Sequence, residues 1–416
     1  MYQYRTLKNG IRVVAEKIDY LRSIAIGVWI GNGSRYESKD ENGISHFIEH
    51  MLFKGSENRS AAQIAHEIDS VGGQLDAFTS REYTCFYTKT IDEHIPSALD
   101  ILSDMLFHPR LGGEDMALER QVIKEEIRMY EDSPEDLVYD LSSYAVWGDS
   151  PMGRTILGTY DSLDKITPEI MRKYMNNHYT RENIIISVSG NFDDNFFDLL
   201  EKYFGTQLLP EKSPLLPEAK YLCKNNIVRT KDIEQVQLVA TFKGIDVMDE
   251  SVYSLLVFNN VFGCGMSSRL FQNIREKHGL VYSITAGHSA YIGTGVFDIS
   301  AGMSAESVNE VSQLISNEIN IIKRDKLTHE EIRKAKEQLK GNYILSGEST
   351  GARMQGAGRS LLLNKPIYTQ EETLKKIDAV NADSVADIID RVLDSSTLCL
   401  SAVGPVDSVD GLFSLD

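Results

Sequence analysis

Apolar and polar positions set out a first run of elements. Strand-type patterns cover Tyr2–Leu7 and Ile11–Glu16. Between them stands Lys8-Asn9-Gly10, whose Asn-Gly pair tolerates the positive φ angles of a tight hairpin. Ser23–Ile30 is a third strand, rich in β-branched and aromatic residues and closed by Gly31-Asn32-Gly33. Helical periodicity follows at Gly43–Phe53 and Ala61–Val71, a strand at Thr84–Lys89, then helices at His94–Phe107, Glu114–Tyr130, Glu135–Trp147 and Pro168–Asn177. Ile184–Ser189 reads as a strand and Asp194–Phe204 as a helix. The pattern then lapses over Thr206–Ala219, which carries Pro210, Pro214 and Pro217 and reads as an extended linker. Beyond it lie strands at Gln235–Phe242, Tyr282–Ser289 and Gly295–Ala301. Helices are expected from Ser251, around Ser268–Lys277, at Ala305–Lys323 and at Thr328–Leu345.

The second half echoes the first. Cys85–Met105 and Phe297–Asn317 both read strand-turn-helix at an offset of 212. A repeat this long is no solenoid unit. It predicts an α+β protein with two similarly folded domains, each a sheet with packed helices, joined by the linker: 1–205, 206–219 and 220–416.

Composition narrows the function. The chain has 416 residues, 42% hydrophobic and 25% charged, which fits an ordinary globular protein. Lys and Arg number 43 against 61 Asp and Glu, a net charge of −18. Such an acidic chain lacks the basic patches that phosphate contact requires, so no nucleic-acid partner is expected. Docking on an anionic membrane is disfavoured for the same reason. Residues 1–210 hold 34 acidic and 21 basic residues, so charged partners should be cationic and drawn to the first half. Cys85, Cys223, Cys264 and Cys399 lie far apart with no CxxC, which suggests buried thiols in a reducing compartment. MYQYRTLKNG has no apolar signal-peptide core, and no run reaches the ~18 apolar residues of a membrane span. A cytoplasmic location is the expectation.

His46-Phe47-Ile48-Glu49-His50 carries the candidate chemistry. Residues four apart on a helix share a face, so both imidazoles could hold one metal ion. Ile44, Phe47, Ile48, Met51 and Leu52 form a core stripe on the same helix, which sets the histidines close to a buried surface. H-x-x-E-H is the inverted zinc-protease pattern. By spacing alone, two histidines on a partly exposed helix fit equally well. A second helix offers a third ligand. Met116, Glu119, Ile123, Glu126 and Tyr130 follow 3-4 spacing along one face, and glutamates on a core-facing stripe are costly unless paired or metal-bound. Pairing with Arg or Lys would also satisfy them. Glu125 lies about 100° away around the helix, toward solvent.

HFIEHMLFKG, with Glu126 76 residues after His50, closely resembles the M16 metallopeptidases over nearly the whole chain. The resemblance implies one zinc ion per chain held by His46, His50 and Glu126, with Glu49 as general base and Glu119 supporting the site. It implies that each domain is of metallohydrolase type. The first is the catalytic zinc-binding domain; the second has no metal site and supplies substrate-binding residues. Gly263–Phe271 resembles the family's glycine-rich loop. Arg275 and Tyr282 match an Arg/Tyr pair that reaches the substrate in that family, a pair suited to a carbonyl oxygen gaining charge. On their own these two read as a surface cation and a strand residue. Gln74–Arg81 resembles the edge strand that pairs with an extended substrate, Asp76 and Ala77 included. Asp76 stands where the family usually has asparagine. A carboxylate accepts hydrogen bonds but does not donate them, which favours cationic peptides. The resulting expectation is a zinc endopeptidase, a cytoplasmic homodimer acting on peptides or unfolded segments. The alternatives are a non-catalytic subunit of the same fold, against which the filled motif argues, and S-ribosylhomocysteine lyase, a shorter H-x-x-E-H enzyme.

Overall fold

The computed structural model describes residues 2–415. In chain order its first elements are β1 (Tyr2–Thr6), β2 (Arg12–Lys17), β3 (Ser23–Ile30), α1 (Ile44–Leu52), α2 (Ala61–Ser70), β4 (Gln74–Thr79), β5 (Thr84–Ile91), α3 (Ile95–Phe107), α4 (Gly113–Asp132), α5 (Pro134–Trp147), α6 (Tyr160–Lys165), α7 (Pro168–His178), β6 (Ile184–Gly190) and α8 (Phe196–Leu200). After a stretch without regular structure come β7 (Ile227–Thr230), β8 (Gln235–Lys243), α9 (Val252–Phe262), β9 (Val281–Tyr291), β10 (Thr294–Ser304), α10 (Val308–Asp325), α11 (His329–Ser346), α12 (Thr350–Leu362), α13 (Gln370–Ala379), α14 (Ala382–Val392) and β11 (Cys399–Gly404).

These elements form two compact units, neither continuous in sequence. The first takes the chain to Ile127, Thr155–Pro217 and Ser346–Thr369. The second takes Arg128–Arg154, Glu218–Leu345 and the chain from Gln370. Against a simple cut at the linker, one helix of each half has changed places. Helix α5 packs on β8 and β11 of the second unit, and α12 packs on β6 and β3 of the first.

The first sheet has the order β1-β2-β6-β3-β5-β4. Only β2 and β6 run parallel; the other pairs are antiparallel. The hairpin before β2 turns at Gly10, whose φ of +98° justifies the Asn-Gly signal. One sheet face, with Ile24, Ile26, Val28 and Ile186, joins α1, α3 and α7 in the main core. The opposite face, with Ala25, Trp29, Cys85 and Ile185, meets Met354 of α12. Burying each large side chain contributes roughly 1.5–3 kcal/mol, so both faces are strongly held.

The second sheet has the order β7-β11-β8-β10-β9, again with one parallel pair, β7 and β11. The predicted echo is present with its register shifted by one. Phe86 of β5 and Phe297 of β10 are the core-facing partners, not Cys85 and Phe297. A one-residue slip swaps the faces of a strand, which composition could not detect. Two further expectations change. The helix expected over Asp194–Phe204 is α8 followed by a π-helical turn at Glu201–Gly205. Of the four cysteines, all free, Cys85 and Cys399 are buried while Cys223 and Cys264 are exposed.

Candidate metal centre and active site

Helix α1 is anchored before any metal is considered. Ile44, Phe47, Ile48, Met51 and Leu52 are buried. The N-cap residue Gly43 sits at φ +93°, and a Cβ there would meet Leu157 O at 2.6 Å, so only glycine fits. It offers no capping side chain. Glu37 supplies the cap from outside the helix: its carboxylate accepts from the backbone N–H groups of Gly43 (2.7 Å) and Ser45 (2.9 Å) and from the Asn42 side chain (3.1 Å). A negative group there also complements the helix dipole. Burial pushes the Glu37 carboxyl upward from its ordinary pKa, and these hydrogen bonds oppose that push. Ser45 Oγ then joins Asn32 and Tyr174 in a buried hydroxyl–amide cluster.

With α1 held, His46 and His50 present Nε2 atoms 3.2 Å apart. Helix α4 brings Glu126 to them. Its Oε2 lies 3.7 Å from His46 Nε2 and its Oε1 3.7 Å from His50 Nε2. The three residues form the only cluster of candidate metal-ligating side chains among the described residues. Tetrahedral zinc with Zn–N bonds of ~2.0–2.1 Å sets its donors about 3.3 Å apart, so the observed spacings fit that ion. The donor chemistry agrees. His50 Nδ1 donates to Glu119 Oε2 at 3.0 Å, which leaves the Nε2 lone pair aimed at the shared point. Two imidazole nitrogens and a carboxylate converging there are a donor set that suits a divalent cation. Burial, then the neighbouring His50, lowers the His46 pKa to about 3, so this imidazole is neutral, the form that could bind a metal.

The register predicted for α4 is largely present. Met116, Glu119 and Ile123 are buried, Glu126 is partly exposed, and Glu125 faces outward. Tyr130 is a correction: it is 45% exposed, and Ile127 takes the core position beside Glu126. Arg120 pins α4 by donating to the Leu163 and Ile166 carbonyls, with its guanidinium 5.8 Å from the Phe47 ring centroid.

Glu49 shares the helix with both histidines. Burial is the main influence raising its pKa; the Thr79 hydrogen bond at 2.5 Å opposes it, and Asp76 and Glu126 add to it. Asp76 and Ala77 lie on β4, which has β5 as its one neighbouring strand, so the other edge of β4 is open. The Asp76 carboxylate accepts from Tyr87 OH (3.0 Å) and from the Ala77 N–H (2.8 Å). Burial and that bond push the Tyr87 phenol up to about 12.

In the second unit the glycine-rich loop begins where α9 ends. Gly263 accepts the Ala286 N–H at 3.1 Å, and a Cβ on it would strike Ala286. Arg275 lies in the π-helical turn Phe271–Glu276. Its guanidinium carbon is 5.7 Å from the ring centroid of Tyr282, which is 72% exposed at the start of β9. The predicted pair is therefore adjacent and presented to solvent.

Three neighbours of the candidate centre escaped the sequence reading: Glu37, Thr79 and Lys54. Lys54 Nζ is 2.5 Å from Glu119 Oε1, so Glu119 sits between a cation and His50. Spacing alone hinted at Lys54, which stands four beyond His50, but α1 ends at Leu52 and Lys54 lies in the turn that follows. Glu37 and Thr79 lie in loops and strand ends, where periodicity carries no signal.

Comparison with known proteins fits this picture. Residues 12–160 match the family described as Insulinase (Peptidase family M16), and residues 165–339 match Peptidase M16 inactive domain. A Bacillus subtilis protein named Uncharacterized zinc protease YmxG is 42% identical over 405 residues, covering 97% of this chain and 98% of the relative. A Rickettsia felis protein named Uncharacterized zinc protease is 36% identical, covering 96% and 97%. Among solved structures, a protease from Helicobacter pylori has the same fold, with TM-score 0.90 at 22% identity, covering 97% of this chain and 99% of that one. Two family matches spanning most of the chain, and full-length relatives well above 30% identity, settle the assignment: the chain belongs to peptidase family M16.

Proposed function

We propose that the chain is a zinc-dependent endopeptidase that hydrolyses peptides or unfolded segments. The observation that carries this reading is the convergence of Glu126 of α4 on His46 and His50 at zinc-like spacing, the two histidines standing on the helix that also presents Glu49. One zinc ion held by these three residues would act as a Lewis acid toward a peptide carbonyl and toward water. Glu49 would take the proton from the attacking water and deliver it to the leaving amine. A partly buried carboxylate with a raised pKa suits both halves of that exchange. Glu119 would orient His50 and hold its tautomer.

The open edge of β4 at Asp76 and Ala77 would pair with an extended substrate backbone, which is why unfolded segments are the substrate class. Arg275 and Tyr282 are proposed as substrate-binding residues for an oxygen gaining charge. The acidic chain favours cationic peptides. A homodimer in the cytoplasm completes the proposal; no helix among the described residues is long and apolar enough to cross a membrane.

The test is digestion of a peptide library by the full chain, with and without a chelator, read by mass spectrometry beside a zinc assay. Internal cleavage that disappears with chelator and returns with zinc is expected. A zinc-loaded protein that cleaves nothing would favour a non-catalytic role.

A further inference from the structure

Thr79 stands at the end of β4, and its hydroxyl donates to Glu49 Oε2 at 2.5 Å. The two sides of this bond differ in stiffness. Glu49 reaches the site through three rotatable bonds and ends partly exposed. Thr79 is β-branched, with a restricted χ1, and is built into a clamped turn. Ser80 N–H donates to Tyr83 O at 2.8 Å, closing the β4–β5 hairpin. That hairpin is tied to the loop after β3 by Ser34 N–H to Ser80 O (3.2 Å) and Arg35 N–H to Arg81 O (2.8 Å). Arg35 and Glu82 form a buried ion pair at 2.6 Å behind it. Thr84, opposite Thr79 in the ladder, donates its hydroxyl to Asn32 O at 3.0 Å. Asn32 in turn bonds Ser45 at the start of α1. The strand end carrying Thr79 and the helix carrying Glu49 are therefore fixed to one polar framework.

We propose that Thr79 is the positioning residue for Glu49. Its hydroxyl occupies Oε2 and leaves Oε1 as the oxygen that exchanges a proton with water. The inference rests on Glu49 being the general base. It adds a link between substrate and base: Thr79 belongs to the same short strand as Asp76 and Ala77, so a peptide paired to that edge is placed relative to Glu49 through three residues of continuous backbone. A threonine hydroxyl can make this bond and a valine of nearly the same shape cannot.

The experiment compares Thr79→Val, Thr79→Ser and the wild type, each loaded with zinc, on one internally quenched peptide. Zinc stoichiometry and thermal midpoint are measured alongside. Loss of an orienting hydrogen bond at such a site costs ~10–100-fold. Thr79→Val is expected to lower kcat by about ten-fold or more, with KM within roughly two-fold, zinc content unchanged, and most of kcat recovered in Thr79→Ser. In a Glu49→Gln background, Thr79→Val should remove nothing further, and that pair should bind the peptide with equal Kd. An unchanged kcat in Thr79→Val overturns the proposal, as does equal impairment of Val and Ser, or a further loss on top of Glu49→Gln. A zinc-loaded wild type that cleaves no peptide overturns the endopeptidase reading itself, and the proposal falls with it; that outcome is read before any variant is compared.

Discussion

Helices α1 and α9 take the same step in two sheets of matching topology, yet they are built for different ends. Each follows a central strand and precedes an antiparallel pair. Helix α1, ISHFIEHML, buries one face, turns His46 and His50 toward α4 and sets Glu49 against Thr79 of β4. Helix α9, VYSLLVFNNVF, carries no His, Asp or Glu. It commits Leu255, Phe258 and Phe262 to the core, where Phe258 and Phe262 pack against Phe297. The partner helices differ in the same sense. Helix α4 sets Glu119 and Glu126 against α1, while the helix packed on α9 is α14, which buries Val385, Ile388, Ile389 and Val392. The shared sheet is therefore a scaffold, and the candidate chemistry belongs to two helix faces and the groups that orient them.

The largest effects should come from the two helices with the candidate ligands, α1 and α4. Glu126→Gln removes a charged donor and should strip most of the zinc. Glu49→Gln should keep zinc and lose ~10²–10⁴-fold in kcat, the range for general acid–base groups. Zinc content and turnover measured side by side check both. The contrast breaks if Glu49→Gln loses metal while Glu126→Gln retains it.

The matching change in the other unit should do the opposite. Phe258 is fully buried beside two other phenylalanines, so Phe258→Ala should cost about 3–5 kcal/mol of stability. Zinc bound per folded chain should stay at the wild-type level. Denaturant unfolding with a zinc assay on the native fraction reads both quantities. Loss of metal at full stability would mean that α9 acts on the centre in some other way.

Within α4, three glutamates form a graded series. Glu119→Gln keeps a hydrogen-bond acceptor for His50 but weakens the contact with Lys54, and a loss of ~10–100-fold in zinc affinity or turnover is expected. Glu125→Gln, on the exposed side, should change zinc content and turnover by less than about two-fold, as surface changes usually do. Competition with a chelator of known affinity ranks the three. An order with Glu125 first would mean that the helix register is wrong.

What was legible in the sequence follows from these contrasts. His46, His50, Glu119 and Glu126 stand at helical spacings on apolar stripes, and spacing survives into three dimensions. The exchange of α5 and α12 was not legible, because an amphipathic helix records that it has a buried face and not which sheet covers it. Helices α12 to α14 and strand β11 lie beyond the last element taken from the pattern, although α14 carries a clear apolar stripe of Val385, Ile388, Ile389 and Val392. Gly358 interrupts the stripe of α12, and a Cβ on it would strike the Trp29 ring. Close packing there replaced the side-chain periodicity that would have announced the helix. The Glu37 carboxylate and the Thr79 hydroxyl are placed by a loop and a strand end, and neither has a period to detect.

The last contrast concerns the sheet faces covered by the exchanged helices. In the first unit Gly27 lies under Met354 of α12, beside Trp29. Its counterpart in the second unit is Thr241, whose hydroxyl is 2.7 Å from that of Ser142 in α5 and which hydrogen-bonds Asp298, opposite it in β10. Asp298 Oδ1 is sealed from solvent without a partner. Burial raises the Asp298 carboxyl to about 7, against an opposing pull from Thr241. Because the folded value lies above the ordinary 3.8, the folded chain holds this proton more tightly than the unfolded one. Its contribution to stability is therefore complete below pH ~4 and lost as pH rises toward 7, with a slope of at most about 1.4 kcal/mol per pH unit. Asp298→Asn removes the proton exchange. Its stability relative to wild type should rise from pH 4 to 7 and then level off, while its zinc content matches that of the wild type at each pH. Urea melts of both proteins at pH 5, 6, 7 and 8 measure the difference. A difference that does not change with pH would show that Asp298 is already ionised in the folded protein, and the two covered faces would then differ in packing alone.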